Sequence, residues 1–100
     1  MAEHALLIHL PMPPDPDGDP LWDLEDALVE RFDASDDGDY DGNDLGGSEM
    51  VLYMYGPDAD RLLEVARPVL AGHGVPVGTY AIKRFGGVDE EGVRTERVDL

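Results

Sequence analysis

Glu49-Met50-Val51-Leu52-Tyr53-Met54-Tyr55, bounded by Gly46-Gly47 before it and Gly56-Pro57 after it, is the stretch on which the fold turns. Seven residues without a proline or glycine, rich in β-branched and aromatic side chains, read as a strand. Side chains alternate across a strand, so Met50, Leu52 and Met54 share one face and Val51, Tyr53 and Tyr55 share the other. Both faces are apolar or aromatic, which places this strand inside a sheet rather than at its edge.

Working outward, Asp58 follows the break and is positioned to cap a helix that starts at Ala59 and extends to about Ala71. Leu62, Leu63, Val65, Ala66, Val69 and Leu70 form its apolar side. Pro68 is expected to kink it or to end its regular part near Arg67, and Gly72-His73-Gly74 closes the segment. Upstream, Asp33 to Gly47 is acidic and glycine-rich and holds a short irregular strand around 39–44. Leu21 to Ala34 carries a helical stripe of Leu21, Leu24, Leu28, Val29 and Phe32, with Asp19 and Pro20 at its start. His4 to Leu10 is a first strand that ends at Pro11. The segment from Pro11 to Pro20 contains five prolines and three aspartates and reads as an exposed loop. Gly78 to Phe85 and Arg94 to Leu100 supply two more strands, the last at an edge. This order predicts a single α+β domain spanning residues 1–100. It is a ferredoxin-like βαββαβ sandwich with an added C-terminal strand, an antiparallel sheet and both helices on one face.

The two helices offer aliphatic stripes, so Met50, Leu52 and Met54 are the set expected to meet them. Val51, Tyr53 and Tyr55 then lie on the helix-free face, beside Leu7 and His9 if the first and third strands pair. That cluster is too apolar to stay fully wet, and a second copy of the chain or the Pro11–Pro20 loop is expected to cover it.

Charge narrows the partners. Twenty-three acidic residues stand against seven basic ones, a net charge of −16, and Lys83 is the sole lysine. Such a surface repels phosphate backbones and anionic bilayers, so neither nucleic acid nor membrane is an expected partner. A basic protein is. Residence in a salty cytoplasm, or a GC-rich coding bias, accounts for the same composition without any function. There is no cysteine, which excludes disulfides, thiolate metal sites and a cysteine nucleophile and points to the cytoplasm. Met1-Ala2-Glu3-His4 lacks the basic flank of a signal peptide, and no apolar run reaches membrane-spanning length.

Asp41-Gly-Asn-Asp-Leu-Gly-Gly47, followed by Leu52-Tyr-Met-Tyr-Gly-Pro-Asp-Ala-Asp60, resembles a pattern found in small bacterial proteins with no assigned activity. The resemblance covers the middle of the chain and implies a fold of this type with a repeatedly used short loop or strand. It implies no substrate, cofactor or catalytic residue.

Among local motifs, Asp37-x-Asp39-x-Asp41-Gly42 matches the first six positions of a calcium-binding EF-hand loop. The twelfth position is Ser48, with Glu49 one place late, and a strand stands where the exiting helix belongs. A solvated acidic turn is therefore the preferred reading. No cofactor is expected, and Ca2+ is the one cation the pattern raises. His4, His9 and His73 fall on separate elements. His9 points to the face opposite Ile8, and His73 is read as a cap at a helix C-terminus. Tyr53 and Tyr55 have the spacing of base-stacking aromatics, which the negative charge argues against.

Two functions survive. The first is a non-catalytic acidic protein-interaction domain, an immunity-type protein masking a basic toxin being one form and a homodimer another. The second is a small enzyme or ligand-binding protein with a pocket on the open sheet face near His9, Tyr53, Tyr55 and Lys83. The first is preferred because no acid–base constellation is visible in the sequence.

Overall fold

The computed structural model describes residues 3–11, 21–86 and 92–100. Five strands and two helices follow one another as β1 His4–Pro11, α1 Leu21–Asp33, β2 Asp39–Gly46, β3 Glu49–Gly56, α2 Ala59–His73, β4 Tyr80–Arg84 and β5 Thr95–Asp99. The expected loop over residues 12–20, with the Asp19 cap and Pro20, lies outside the described residues.

The strands form one antiparallel sheet in the order β2-β3-β1-β4-β5. Apolar on both faces, β1 takes the centre. It pairs with β3 from His4 opposite Gly56 to Pro11 opposite Glu49, and with β4 from Ala5 opposite Arg84 to His9 opposite Tyr80. β2 returns to β3 through a turn in which Gly47 has φ +58°, a left-handed conformation that glycine adopts without steric cost. β2 is longer than the irregular segment expected around 39–44. It tolerates its aspartates because it is an edge strand and its register slips between Tyr40 and Gly42.

The alternation read in β3 is realised. Met50, Leu52 and Met54 are fully buried, with Leu6, Ile8 and Leu10 of β1 beside them and Ala81 of β4 completing that face of the sheet. Leu24, Leu28 and Phe32 of α1 and Leu62, Leu63, Val65, Ala66 and Leu70 of α2 close the same cluster from above. Each such side chain removed from water contributes about 1.5–3 kcal/mol, so this layer drives folding. Val29, expected in the stripe of α1, is instead exposed.

The second helix starts as its sequence predicts. Asp58 accepts a hydrogen bond from the Asp60 N–H at 3.0 Å, and Gly74 ends the helix with φ 69°. Of the two outcomes expected at Pro68, an end near Arg67 does not occur: the helix continues to His73, two residues past the expected Ala71. Proline removes one N–H, yet Val65, Ala66 and Leu70 on either side of it are buried in the core, and that burial holds the helix together across the gap. His73 donates from Nδ1 to the Val69 carbonyl at 3.0 Å, the C-terminal role read from its position.

Where α2 begins, two glycines let the chain close tightly. A Cβ on Gly38 would lie 2.5 Å from the Tyr55 carbonyl oxygen and would also strike Leu62, and a Cβ on Gly56 would lie 2.5 Å from the Asp37 carbonyl oxygen. No helix among the described residues is long and apolar enough to cross a membrane.

Candidate functional site

Residues paired across adjacent strands share a face. The register therefore sets out the face opposite the helices in rows. One row holds Asp44, Val51, His9, Tyr80 and Asp99. The next holds Gly42, Tyr53, Leu7, Ile82 and Arg97, and the third Asp39, Tyr55, Ala5, Arg84 and Thr95. Glu49 stands opposite Pro11 at the end of β3. Val51, Tyr53, Tyr55, Leu7, His9, Tyr80 and Ile82 are all only partly buried.

Three of the four residues expected in an open-face site, His9, Tyr53 and Tyr55, do lie on this face, with Leu7 opposite Tyr53 and His9 opposite Val51. Lys83 does not. It stands opposite Leu6, whose side chain faces the helices, so the even spacing of β4 carries it to the other side. There its ammonium lies 2.7 Å from Asp60 of α2 and 3.0 Å from Glu96 of β5, with the side chain only 11% exposed. Asp60, and then Glu96, hold the Lys83 pKa above its ordinary value, and Lys83 in turn holds the Glu96 carboxyl below its own.

His9 is the best-organised polar group on the open face. Its Nδ1 lies 2.6 Å from a Glu49 carboxylate oxygen, and a carboxylate only accepts, so Nδ1 carries the proton. The imidazole stacks on Tyr80 with ring centroids 4.6 Å apart and planes 7° from parallel. The Tyr80 hydroxyl reaches the second Glu49 oxygen at 3.4 Å, and the Arg97 guanidinium lies 3.9 Å from the Tyr80 ring centroid. Arg97 is also paired with Asp99 at 2.9 Å. Four strands thus contribute to one continuous ladder of Glu49, His9, Tyr80 and Arg97. A carboxylate that orients an imidazole is half of a general-base arrangement, and a stacked arginine–tyrosine pair is a common feature of binding surfaces.

Sequence reading missed Glu49, Tyr80, Ile82 and Arg97. Glu49 carried a usable signal, since it has the parity of Val51 and Tyr53 and therefore shares their face. Tyr80 and Arg97 carried none, because only the pairing of β4 with β1 and β5 brings them to His9.

The three aspartates of the calcium-like pattern are dispersed by the edge strand. Asp37 precedes β2 and lies 3.2 Å from the Arg61 Nε. It also accepts from the Ser35 hydroxyl at 2.7 Å. Arg61, and then Ser35, hold its carboxyl below the usual range. Asp39 falls on the open face opposite Tyr55, and Asp41 occupies the register slip. Among the described residues, no three histidine or acidic side chains gather as a metal-holding group. An open groove of about 470 Å3 lies at this end of the sheet, lined by Glu3, Asp36, Asp39, Tyr55 and the neighbouring backbone. It is acidic, and of the expected site residues it takes in Tyr55 and Asp39 but not His9.

Compared with known proteins, the chain matches no family model, no curated protein and no solved structure.

Proposed function

We propose that this chain is a non-catalytic acidic interaction domain that works by presenting the sheet face opposite its helices to a protein partner. One observation carries the reading: Leu7, Val51, Tyr53, Tyr55 and Ile82 form an unbroken, partly exposed patch across the three central strands. Contiguous apolar surface of this kind costs free energy in water and is a hallmark of recognition surfaces. The net charge of −16 would steer approach, slowing wrong encounters with other acidic surfaces.

The strand order β2-β3-β1-β4 supports a ferredoxin-like assignment, with β5 added beside β4. Absence of cysteine supports a cytoplasmic setting, and the sequence pattern over residues 41–60 supports kinship with small bacterial proteins of unassigned activity. In this reading no cofactor is needed. The pairing of Asp37 with Arg61 supports the acidic turn over a calcium loop.

The test is capture of bound protein from source cells with the wild-type chain and with Tyr53→Ser. The variant should lose the bound species while its circular dichroism melt stays close to that of wild type. Equal capture by both would defeat the face assignment.

A second reading, a small enzyme or ligand-binding protein, draws on the His9–Glu49 contact. It predicts a small molecule whose binding His9→Gln abolishes.

A further inference from the structure

The sheet has two edge strands, and they are secured differently. β2 is clamped to the helices. Tyr40 and Asn43 both donate to the Glu25 carboxylate of α1, and Gly38, just before the strand, lies too close to Leu62 of α2 to admit a side chain. Its eight residues also return directly into β3 through a tight turn.

β5 is held more lightly. It has five residues, of which Thr95, Glu96, Arg97 and Asp99 are exposed. Val98, and Leu100 just beyond the strand, are partly buried against the core, whereas the buried members of that core come from β1, β3, β4, α1 and α2. Two of its ion pairs lie within its own segment: Arg94 with Glu96 at 3.1 Å and Arg97 with Asp99 at 2.9 Å. Such pairs form between near neighbours in the chain and do not fasten the strand to the sheet. The fastenings are the backbone ladder with β4, the Lys83 ammonium 3.0 Å from Glu96, and two guanidinium–ring contacts, Arg97 on Tyr80 at 3.9 Å and Arg94 on Phe85 at 4.6 Å. Ion pairs and cation–π contacts with an exposed partner contribute little in water.

We infer that β5 is a detachable strap, which opens from β4 as one unit while β1 to β4 and both helices stay folded. Its release takes no buried core side chain with it, so the layer that drives folding remains closed. Openings of this kind, with few buried apolar contacts to break, lie well below global unfolding in free energy. The open form bares the outer edge of β4, a row of backbone N–H and C=O groups able to pair with another extended segment. The device does not depend on what the sheet face binds.

Two hydrogen bonds bracket the strap and report on it. The Phe85 N–H donates to the Arg94 carbonyl at 3.0 Å at one end, and the Leu100 N–H donates to the Thr79 carbonyl at 3.1 Å at the other. Both are lost when β5 leaves.

Native-state amide hydrogen exchange of the whole chain, followed residue by residue by NMR in rising sub-denaturing guanidinium, tests this. After correction for intrinsic rates, the Phe85 and Leu100 amides should share one opening. It should be at least tenfold more frequent than the opening that exposes the slowest amides of β1 and β3. It should also depend only weakly on denaturant, because little surface is uncovered. Ile8→Val in the core should speed the β1 and β3 amides several-fold and leave Phe85 and Leu100 unchanged. Val98→Ala should speed both sets by one common factor, since it destabilises the docked state from which both openings start.

Phe85 and Leu100 amides as slow and as denaturant-sensitive as those of β1 and β3 overturn the proposal, as does their acceleration by Ile8→Val. Fast exchange at only one of the two also overturns it, because fraying from one end is not release of a strap. Opening of β2 together with β5 would show that the two edges are not secured differently.

Discussion

The Nδ1 atom of His4 accepts a hydrogen bond, at 3.0 Å, from the backbone N–H of Ala59. The first residue of β1 thereby satisfies one of the free donors at the start of α2, alongside Asp58, which takes the next. The bond requires the tautomer with its proton on Nε2, and the ring is held in place by an edge-on contact with Phe85 at 5.4 Å.

Replacing His4 by alanine should cost about 1 kcal/mol, the usual penalty for a lost helix cap. Asparagine at the same position should recover part of it by offering another acceptor. Urea denaturation of both variants at neutral pH measures the difference. Equal stability of His4→Ala and wild type would show that water replaces the imidazole.

Gly38→Ala should be among the most damaging single substitutions on the surface of this protein. The new methyl would lie 2.5 Å from the Tyr55 carbonyl oxygen, a backbone atom fixed in β3, and would also strike Leu62. Overpacking of this sort costs about 1–3 kcal/mol, read as a lowered urea midpoint. Gly46→Ala, where a Cβ meets nothing within 4 Å, is the control and should fall within about 0.5 kcal/mol of wild type.

A compact chain with −16 charges is under self-repulsion. Its melting temperature, measured dilute enough to keep it monomeric, should therefore rise clearly from low to high sodium chloride. A flat or falling curve would show that charge does not limit its stability.

Alkaline pH should unfold it sooner than its acidic composition suggests. Tyr40 is half-buried, and burial together with the hydrogen bond it donates to Glu25 raises its pKa well above the ordinary 10.0. Lys83 is raised above 10.5 by Asp60 and Glu96. A group whose pKa is higher in the folded state adds stability in full below its unfolded value and loses it as pH rises through the folded one. The melting temperature should thus fall above about pH 10. Tyr40→Phe, which has no phenolic proton to lose, should shift the fall to higher pH.

The layer that drives folding was legible because burial leaves a period in the sequence. Met50, Leu52 and Met54 on one side and Leu24, Leu28 and Phe32 on the other repeat at the spacing of a strand and a helix. For helix α2 local chemistry left two outcomes open at Pro68, and the packing of Leu70 beyond it selects a helix that runs on past the proline. Side-chain parity was legible within a strand but not between strands. Tyr53 could be placed on the open face from its neighbours alone. Lys83 could not, because its side depends on which residue of β1 it stands opposite, and that is settled by the pairing of distant segments. The Glu49–His9–Tyr80–Arg97 ladder was hidden for the same reason.

Lys83 leaves one last consequence. It is the only ε-amine in the chain, and two carboxylates hold it at 2.7 and 3.0 Å. Acylating enzymes, reducing sugars and amine-directed cross-linkers all need an unprotonated, accessible nitrogen, and here two carboxylates favour the protonated form of an amine whose side chain is only 11% exposed. Covalent tagging through lysine is therefore slowed in this protein until both Asp60 of α2 and Glu96 of β5 let go. An acetyl or ubiquitin-like mark on Lys83 would report a loosening of the contacts that join α2, β4 and β5.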